Sequence, residues 1–367
     1  MAQRSVSLHS GRSRIHRLRL SLSKARADAL LVTHLPNIRY LCGFSGSAAI
    51  LLVESSRATL FTDSRYTLQA REEVHDAAVS IVRHGLIRAC GEALHRRRGR
   101  ARIGYAPSQL TVAQKDALQS FAGARVRWVP APGEVERLRA IKDAAELALM
   151  REAALLISDV WTRAIACVRP GVSELAVAAE LERAMKLRGS SGPSFDTIVA
   201  SGPRSAWPHA QPTAKLLKKN ELVVLDQGAI LRGYCSDMTR TVFLGRAAGR
   251  VRGLYGAVLE AQQAAKAAIR PGVKAGEVDS AARKVLRRHG FVRYFTHSTG
   301  HGLGIEVHEM PRLGMGEDTL LEEGMVITVE PGVYIEGFGG IRVEDDVVVT
   351  AHGAQDLTIA SRDLLEL

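Results

Sequence analysis

Leu222-Val223-Val224-Leu225-Asp226 is an apolar run closed by an acid, and Met325-Val326-Ile327-Thr328-Val329-Glu330 is a second one, its acid 104 positions further on. Runs of this length and character read as buried strands. Gly-rich, aromatic-containing sequence follows each run. A second strand with another acid comes next, Asp237 in one case and Glu344 in the other, at separations of 11 and 14 residues. Those distances suit the two arms of an antiparallel hairpin. Upstream, Arg169-Pro170-Gly171-Val172 recurs as Arg270-Pro271-Gly272-Val273 after 101 positions. Each copy opens an amphipathic helix, expected over 173–188 and 275–288. Residues 135–367 therefore read as a duplicated α+β domain with pseudo-twofold symmetry, led in by a long Ala/Leu/Glu-rich helix running from near Glu134 through Lys142 and Glu146 towards Ala166.

An unpaired carboxylate at the end of an apolar strand is expensive to bury. One such acid is explained by a strand that ends at the surface. Two at equivalent points of a repeat, each with a second hairpin acid, are harder to explain that way. Four carboxylates converging at the centre of a pseudo-symmetric sheet must take up protons or be held by cations. A histidine ligand is at hand in His297-Ser298-Thr299-Gly300-His301-Gly302-Leu303-Gly304. An oxygen-rich set with one imidazole suits manganese, cobalt or iron better than a thiolate zinc site does. Metal-assisted hydrolysis is the expected chemistry. There is no GxxxxGK[ST] loop, HExxH helix, GxSxG elbow or GxGxxG after a strand, which removes nucleotide binding and serine chemistry.

The rest of the 367 residues bounds the answer. Hydrophobic residues at 46% and charged residues at 24% describe an ordinary globular protein rather than a disordered one. The longest apolar run, 48–53, is far too short to span a membrane, so no membrane partner is expected. The net charge of +12 belongs wholly to residues 1–134, with 21 Lys+Arg against 9 Asp+Glu; residues 135–367 balance at 29 against 29. These charges are scattered and lack interleaved aromatics, so they read as a solvated basic face and no nucleic-acid partner is expected. Strands at 29–33, 48–53 and 59–62 and helices at 65–73 and 111–120 make this first domain α/β, ending at a Pro130-Ala131-Pro132-Gly133 linker. The acid-free start resembles a transit peptide in composition. Ile15, Leu18, Leu22 and Ala25 at helical spacing favour a basic amphipathic helix over 12–26 instead, preceded by a flexible extension over 1–11. Cys42, Cys90, Cys167 and Cys235 are dispersed, which fits a reduced, cytoplasmic setting.

Leu225-Asp226-Gln227-Gly228-Ala229, Ser236-Asp237-Met238-Thr239-Arg240-Thr241, Gly300-His301-Gly302-Leu303-Gly304, Val329-Glu330-Pro331-Gly332 and Ile341-Arg342-Val343-Glu344-Asp345 together resemble the motif set of the M24 metallopeptidases. That family has a pita-bread catalytic fold and includes aminopeptidase P, prolidase and methionine aminopeptidase. Asn37-Ile38-Arg39-Tyr40-Leu41 with Gly43-Phe44, and Phe61-Thr62-Asp63-Ser64-Arg65-Tyr66, resemble the creatinase-type N-terminal domain of the proline-specific members. The resemblance implies a creatinase-like domain over 1–134 and a pita-bread domain over 135–367. It implies Asp226, Asp237, His301, Glu330 and Glu344 as ligands of two divalent ions, manganese first, with cobalt, zinc or iron as alternatives. All five positions hold competent ligands, which argues against the creatinase-like and histone-chaperone relatives that lack the metal site. The same resemblance makes Glu330 the general base for a metal-bridging hydroxide nucleophile, and His209 and His308 the groups that steady the reacting carbonyl. His297 would shape the proline-side pocket, and Arg342 would orient the neighbouring carboxylate. Arg312 is either a clamp for a substrate carboxylate or an ion-pair partner of Glu309 or Glu317; Trp207 either lines the pocket or packs.

A peptide bond to proline lacks an N–H and carries a rigid ring, so a dedicated site must read the ring itself. Methionine aminopeptidases of this family generally lack the N-terminal domain, which favours cleavage between an N-terminal residue and proline. Short two-domain relatives occur both as prolidases, which take Xaa-Pro dipeptides only, and as aminopeptidases P, and Arg312 does not separate them. The reading of another class is a non-catalytic peptide- or nucleic-acid-binding module on the same fold. The resemblance also implies a homodimer.

Overall fold

A computed structural model describes residues 13–22 and 26–367. The expected extension over 1–11 lies outside the described residues, as do residues 12 and 23–25 of the expected first helix. The part of that helix that is described, Arg14–Leu22, buries Ile15, Leu18 and Leu22 at the predicted spacing. Contacts divide the chain between Arg139 and Ala140, a few residues beyond the expected 134/135 boundary.

Unit 1 is an α/β fold on a six-stranded sheet: β1 (Ala29–Val32), β2 (Ala49–Glu54), β3 (Ala58–Asp63), β4 (Ala78–Val82), β5 (Ala101–Tyr105) and β6 (Val126–Pro130). Their order is β4-β3-β2-β1-β5-β6. The antiparallel meander β1-β2-β3 holds the centre, and β4, β5 and β6 add to it in parallel. Alternate residues of the central strands, with Cys90, Leu94, Leu118 and Ala122 from the covering helices, form the core. The helix expected from Thr111 uses that threonine as its cap, in a capping box with Gln114. Residues beyond 134 stay with this unit because Asn37 Nδ2 donates to Glu136 Oε1 at 2.8 Å and Arg139 Nη1 donates to Asn37 Oδ1 at 2.7 Å.

The single long helix expected between Glu134 and Ala166 is instead two. A short one, Glu136–Ala140, stops where Ile141 forms a β-bridge with Met325 and Lys142 N donates to Gly324 O. The second, Ala144–Ala164, starts afresh at Asp143, whose carboxylate accepts from Ala145 N and Glu146 N while Glu146 Oε2 takes Asp143 N in return. That capping box satisfies backbone donors at the new helix start and so stabilises the interruption. Asp143→Ala should cost about 1 kcal/mol, within a range of roughly 0.5–2, read as a lowered urea midpoint at constant m-value. An unchanged midpoint would mean the box does not set the break.

Unit 2 is the expected duplication. Helices Ala144–Ala164 and Glu174–Leu187 lead into the hairpin Leu222–Gln227/Met238–Phe243, and helices Gly249–Ala268 and Ala275–Arg288 lead into Val326–Val329/Asp345–Thr350. Both Arg-Pro-Gly-Val copies make the same bonds. Gly171 N donates to Leu217 O at 2.9 Å and Gly272 N to Leu321 O at 2.8 Å, with Leu217 N and Leu321 N returning to Val172 O and Val273 O. Two hydrophobic cores follow the halves, with Leu222 and Phe243 of the first hairpin joining the second core and Ala360 joining the first. A small hairpin interrupts each main one, Ala229–Leu231/Tyr234–Cys235 in the first half and Gly332–Ile335/Gly339–Arg342 in the second. One expectation is corrected: the acids do not meet on one continuous sheet. The first hairpin belongs to a three-stranded sheet with Ile198–Ser201. The second belongs to a five-stranded sheet with Gly300–Gly302, Glu309–Leu313 and Gly353–Asp356. Among the bonds that join the halves are Glu344 N to Thr239 O and Arg342 N to Thr241 Oγ1, both at 3.1 Å, and Asp237 N to Asp346 Oδ2 at 3.0 Å.

Candidate metal centre

The hairpin geometry explains why the acids converge. Asp226 pairs with Thr239 near the end of its strand, and Asp237 immediately precedes the return strand. Glu330 follows the strand Val326–Val329, and Glu344 precedes Asp345–Thr350. All four therefore sit where a main hairpin opens into its small one. His301 arrives from the strand Gly300–Gly302, which packs so closely that a Cβ at Gly300 would stand 2.0 Å from Thr328 O and one at Gly302 would stand 2.1 Å from Met310 O. Only glycine fits on either side of this histidine.

Ten of the residues singled out from the sequence line one cavity of about 540 Å³ within unit 2: Asp226, Asp237, His301, Glu330, Glu344, His209, His308, His297, Arg312 and Arg342. Asp237, His301 and Glu344 offer ligand atoms within 4.8 Å of one another. His301 Nε2 lies 3.4 Å from Glu330 Oε1 and 3.7 Å from Asp237 Oδ2. Its Nδ1 is 3.0 Å from Gly302 O, which can only accept, so Nδ1 carries the proton and Nε2 points a lone pair at carboxylate oxygens. Lone pairs so opposed call for a cation between them.

The acids make the same demand. Asp226 Oδ1 and Asp237 Oδ1 are buried with no hydrogen-bond partner. Burial, with Glu344, Asp226, Asp346 and Glu330 as negative neighbours, holds the Asp237 carboxyl well above the usual carboxylate range. Burial, then Glu330 and Asp226, raises Glu344 in the same way. Burial lifts Glu330 to about 8, with Arg342 opposing and Asp226 adding to the rise. Burial lowers His301 to about 4. Asp226 is the exception in having a cation of its own: Arg342 Nη2 donates to Asp226 Oδ2 at 2.6 Å. One guanidinium does not balance four carboxylates, and an oxygen-rich set with one neutral imidazole fits divalent ions.

The surrounding polar groups are ordered by contacts that the sequence did not announce. Arg342 Nε donates to Thr239 Oγ1 at 3.0 Å, and that hydroxyl donates to Glu344 Oε2 at 2.5 Å. Arg342 Nη1 donates to Tyr334 Oη at 2.7 Å, and Tyr334 Oη donates onward to His297 Nε2 at 2.9 Å. Tyr334 sits in a strand that reads as plain apolar sequence, so only the fold reveals its hydroxyl's task. His297 Nδ1 is committed to Ser298 O at 2.8 Å, and burial with the nearby Arg342 charge pushes its pKa down to about 3. With both nitrogens engaged, this neutral ring packs edge-on against Phe295 at 5.1 Å and offers a largely apolar wall. His308 stands 4.4 Å from the His301 ring, and burial followed by His209 lowers its pKa.

Arg312 faces the cavity and is exposed. Glu309 is taken by Lys142 at 3.2 Å, in a pair buried on both sides, and no ion pair joins Arg312 to Glu309 or Glu317 among the described residues. Trp207 is 59% exposed and lies under the Arg204 guanidinium rather than on the cavity wall. The four cysteines are unpaired, and among the described residues no helix is long and apolar enough to cross a membrane.

Comparison with known proteins matches the family model "Metallopeptidase family M24" to residues 148–351, and "Creatinase/Prolidase N-terminal domain" to residues 14–141. An uncharacterized peptidase of Bacillus subtilis, YqhT, is 39% identical, with 96% of this chain and 100% of that protein covered. The solved structure of an Xaa-Pro dipeptidase from Bacillus anthracis superimposes with a TM-score of 0.92 at 37% identity, covering 96% of this chain and 99% of that one. That of an X-Pro aminopeptidase from Thermotoga maritima gives 0.87 at 34% identity, covering 95% and 100%.

Proposed function

The chain belongs to metallopeptidase family M24, with a creatinase-type N-terminal domain and a pita-bread catalytic domain, and from that premise we propose that it cleaves peptides between an N-terminal residue and a following proline. The observation that carries this reading is the cavity in which five candidate ligands converge with two buried carboxylate oxygens left unpartnered. The names of the B. anthracis and T. maritima relatives support the choice of substrate.

In this reading Asp226, Asp237, His301, Glu330 and Glu344 hold two divalent ions, manganese first. Bound ions would supply a water acidic enough to attack at neutral pH and would polarise the scissile carbonyl. Glu330 takes the proton of the attacking water on a carboxylate oxygen and passes it to the leaving proline nitrogen. His308, neutral because burial and His209 lower its pKa, donates a hydrogen bond to the carbonyl oxygen as charge gathers there, and His209 supports it. His297, with both nitrogens occupied, presents ring carbon to the proline ring. Arg342 keeps Asp226 aimed. Arg312, without a competing acid, is placed to pair bidentately with a substrate carboxylate. The free cysteines support a reduced, cytoplasmic setting, and the family resemblance supports a homodimer, which light scattering at twice the chain mass would bear out.

The deciding experiment is a mass-spectrometric cleavage assay on manganese-reconstituted protein, offered an Xaa-Pro dipeptide, an Xaa-Pro-Yaa-Yaa peptide and an Xaa-Ala control together. Proline-dependent release that chelation abolishes and manganese restores is expected. Release from the dipeptide alone would make the protein a prolidase, and release from the longer peptide an aminopeptidase P. No proline-dependent release from either would overturn the reading.

A further inference from the structure

Each half of unit 2 holds one cavity histidine with the same arrangement of groups. Glu174, fully buried in the first turn of its helix, accepts from Ser201 N and Oγ at 2.9 and 2.8 Å and from Thr213 N and Oγ1 at 3.1 and 2.8 Å. Its charged partner is Arg204, whose Nε lies 3.2 Å from Oε2. Arg204 Nη2 reaches on to Gln211 O at 2.6 Å, and its guanidinium lies over the Trp207 ring at 5.0 Å. The loop held in this way carries His209. In the second half Asp279, also fully buried, accepts from Thr299 N at 3.1 Å and Thr299 Oγ1 at 2.8 Å, and from Arg283 Nε at 2.6 Å. Arg283 Nη2 reaches His297 O at 2.6 Å and Nη1 reaches Phe295 O at 3.1 Å, with the guanidinium over the Phe295 ring at 4.3 Å.

The parts correspond. A helix carboxylate with no exposure grips an arginine. The arginine stacks on the aromatic residue two positions before a cavity histidine, and it donates to a carbonyl at that histidine or two residues beyond. The correspondence was not copied as a block by the duplication. Glu174 and Asp279 are 105 positions apart, near the repeat of 101 to 104, but Arg204 and Arg283 are only 79 apart. One arginine comes from the 3-10 turn Gly202–Ala206 and the other from the helix Ala275–Arg288. Two halves that reach the same arrangement by different routes point to a requirement at the histidines. Neither the acids nor the arginines line the cavity.

We propose that Arg204 and Arg283 are positioning residues, anchored on Glu174 and Asp279, that fix His209 and His297 where the substrate meets them. The planar guanidinium is needed because one group must meet a carboxylate, a carbonyl and a ring face together, which an ammonium cannot do. The role of the two histidines rests on the preceding functional reading; the clamps themselves do not.

The test uses the full chain reconstituted with manganese and pairs each arginine with its histidine. Arg204→Gln leaves Glu174 its four Ser201 and Thr213 donors, so the fold and the bound metal should stand. Cleavage of the Xaa-Pro substrate that the wild type accepts, dipeptide or longer peptide, should fall about 10- to 100-fold in kcat/KM, the scale of a misplaced contact group. The same substitution made on top of His209→Ala should cost less than about twofold, because the residue it acts through is gone. Arg283→Gln with His297→Ala should behave in the same way, and Arg283→Lys, which keeps the ion pair with Asp279, serves if the glutamine variant does not fold. Losses that multiply, or a single variant within about twofold of wild type, would overturn the proposal. NMR of histidine labelled at ring Cε1, recorded on the chelated protein so that no paramagnetic manganese broadens the cavity signals, gives a reading independent of turnover. Arg204→Gln should shift or broaden the His209 signal and leave that of His297, and the Arg283 variants should do the reverse; unmoved signals overturn the proposal. If the wild type cleaves no Xaa-Pro peptide the functional reading fails, and the ring signals still decide whether the clamps exist.

Discussion

Glu330→Gln is expected to lower kcat on an Xaa-Pro substrate by at least about 10³-fold while leaving the fold intact, because it removes the proposed general base without changing shape. The variant also separates chemistry from stability. Burial raises the Glu330 carboxyl to about 8 in the protein without cations, so between its unfolded value of roughly 4.3 and about 8 the folded state binds a proton that the unfolded chain has released. Stability of the chelated wild type should therefore fall as pH rises through that window. A glutamine carries no such penalty. Chelated Glu330→Gln should melt at or above chelated wild type near about pH 8, and the two should converge near about pH 5. Activity close to wild type would sink the assignment of Glu330; a variant that melts below wild type at both pH values would sink the electrostatic account.

Arg240→Met should be the most destabilising single change, at about 3–5 kcal/mol. The Arg240 side chain is 2% exposed and donates in five directions: Nε to Ser361 O at 2.8 Å, Nη1 to Thr239 O at 2.9 Å and Glu344 O at 2.5 Å, and Nη2 to Asp345 Oδ1 and Ala360 O, both at 2.8 Å. It thus ties the first hairpin to the second and to the segment beyond it. Burial alone would raise the Asp345 carboxyl, but Arg240, Lys266 and Arg362 together hold it below its ordinary value. Methionine fills the volume and takes the Arg240 donors from four carbonyls, of which Thr239 O keeps Glu344 N, and from part of a buried carboxylate. Because Arg240 also holds the Glu344 carbonyl, metal content after reconstitution should fall with the denaturation midpoint. A loss under about 1 kcal/mol would mean that the neighbouring cations compensate.

Much of this site is written in local pattern. The acids of the four hairpin arms and His301 are marked by their own neighbours, because apolar runs and glycines announce where strands must end and where backbones must touch. What escaped is of three kinds. The interruption at Ile141–Asp143 carries a legible signal, Asp143 with Glu146 three residues on, but good helix formers on both sides mask it. Tyr334, Thr239, Glu174 and Asp279 carry no local signal at all. Each looks like an ordinary strand or helix residue until residues far away in the chain are brought within hydrogen-bond reach. Arg312 shows the third case: its type was readable, while the absence of a competing acid was a question of geometry.

The five proposed ligands are shared between the halves, Asp226 and Asp237 from the first and His301, Glu330 and Glu344 from the second, and the Arg240 anchor reaches as far as Ala360 and Ser361. During synthesis the first half therefore emerges with two acids and no counterpart. A chain still on the ribosome has no competent centre until the strand Asp345–Thr350 has been made and docked. Truncations that remove the last strands would take Glu344 and the partners of Arg240 with them, so that their loss silences the enzyme rather than loosening its specificity.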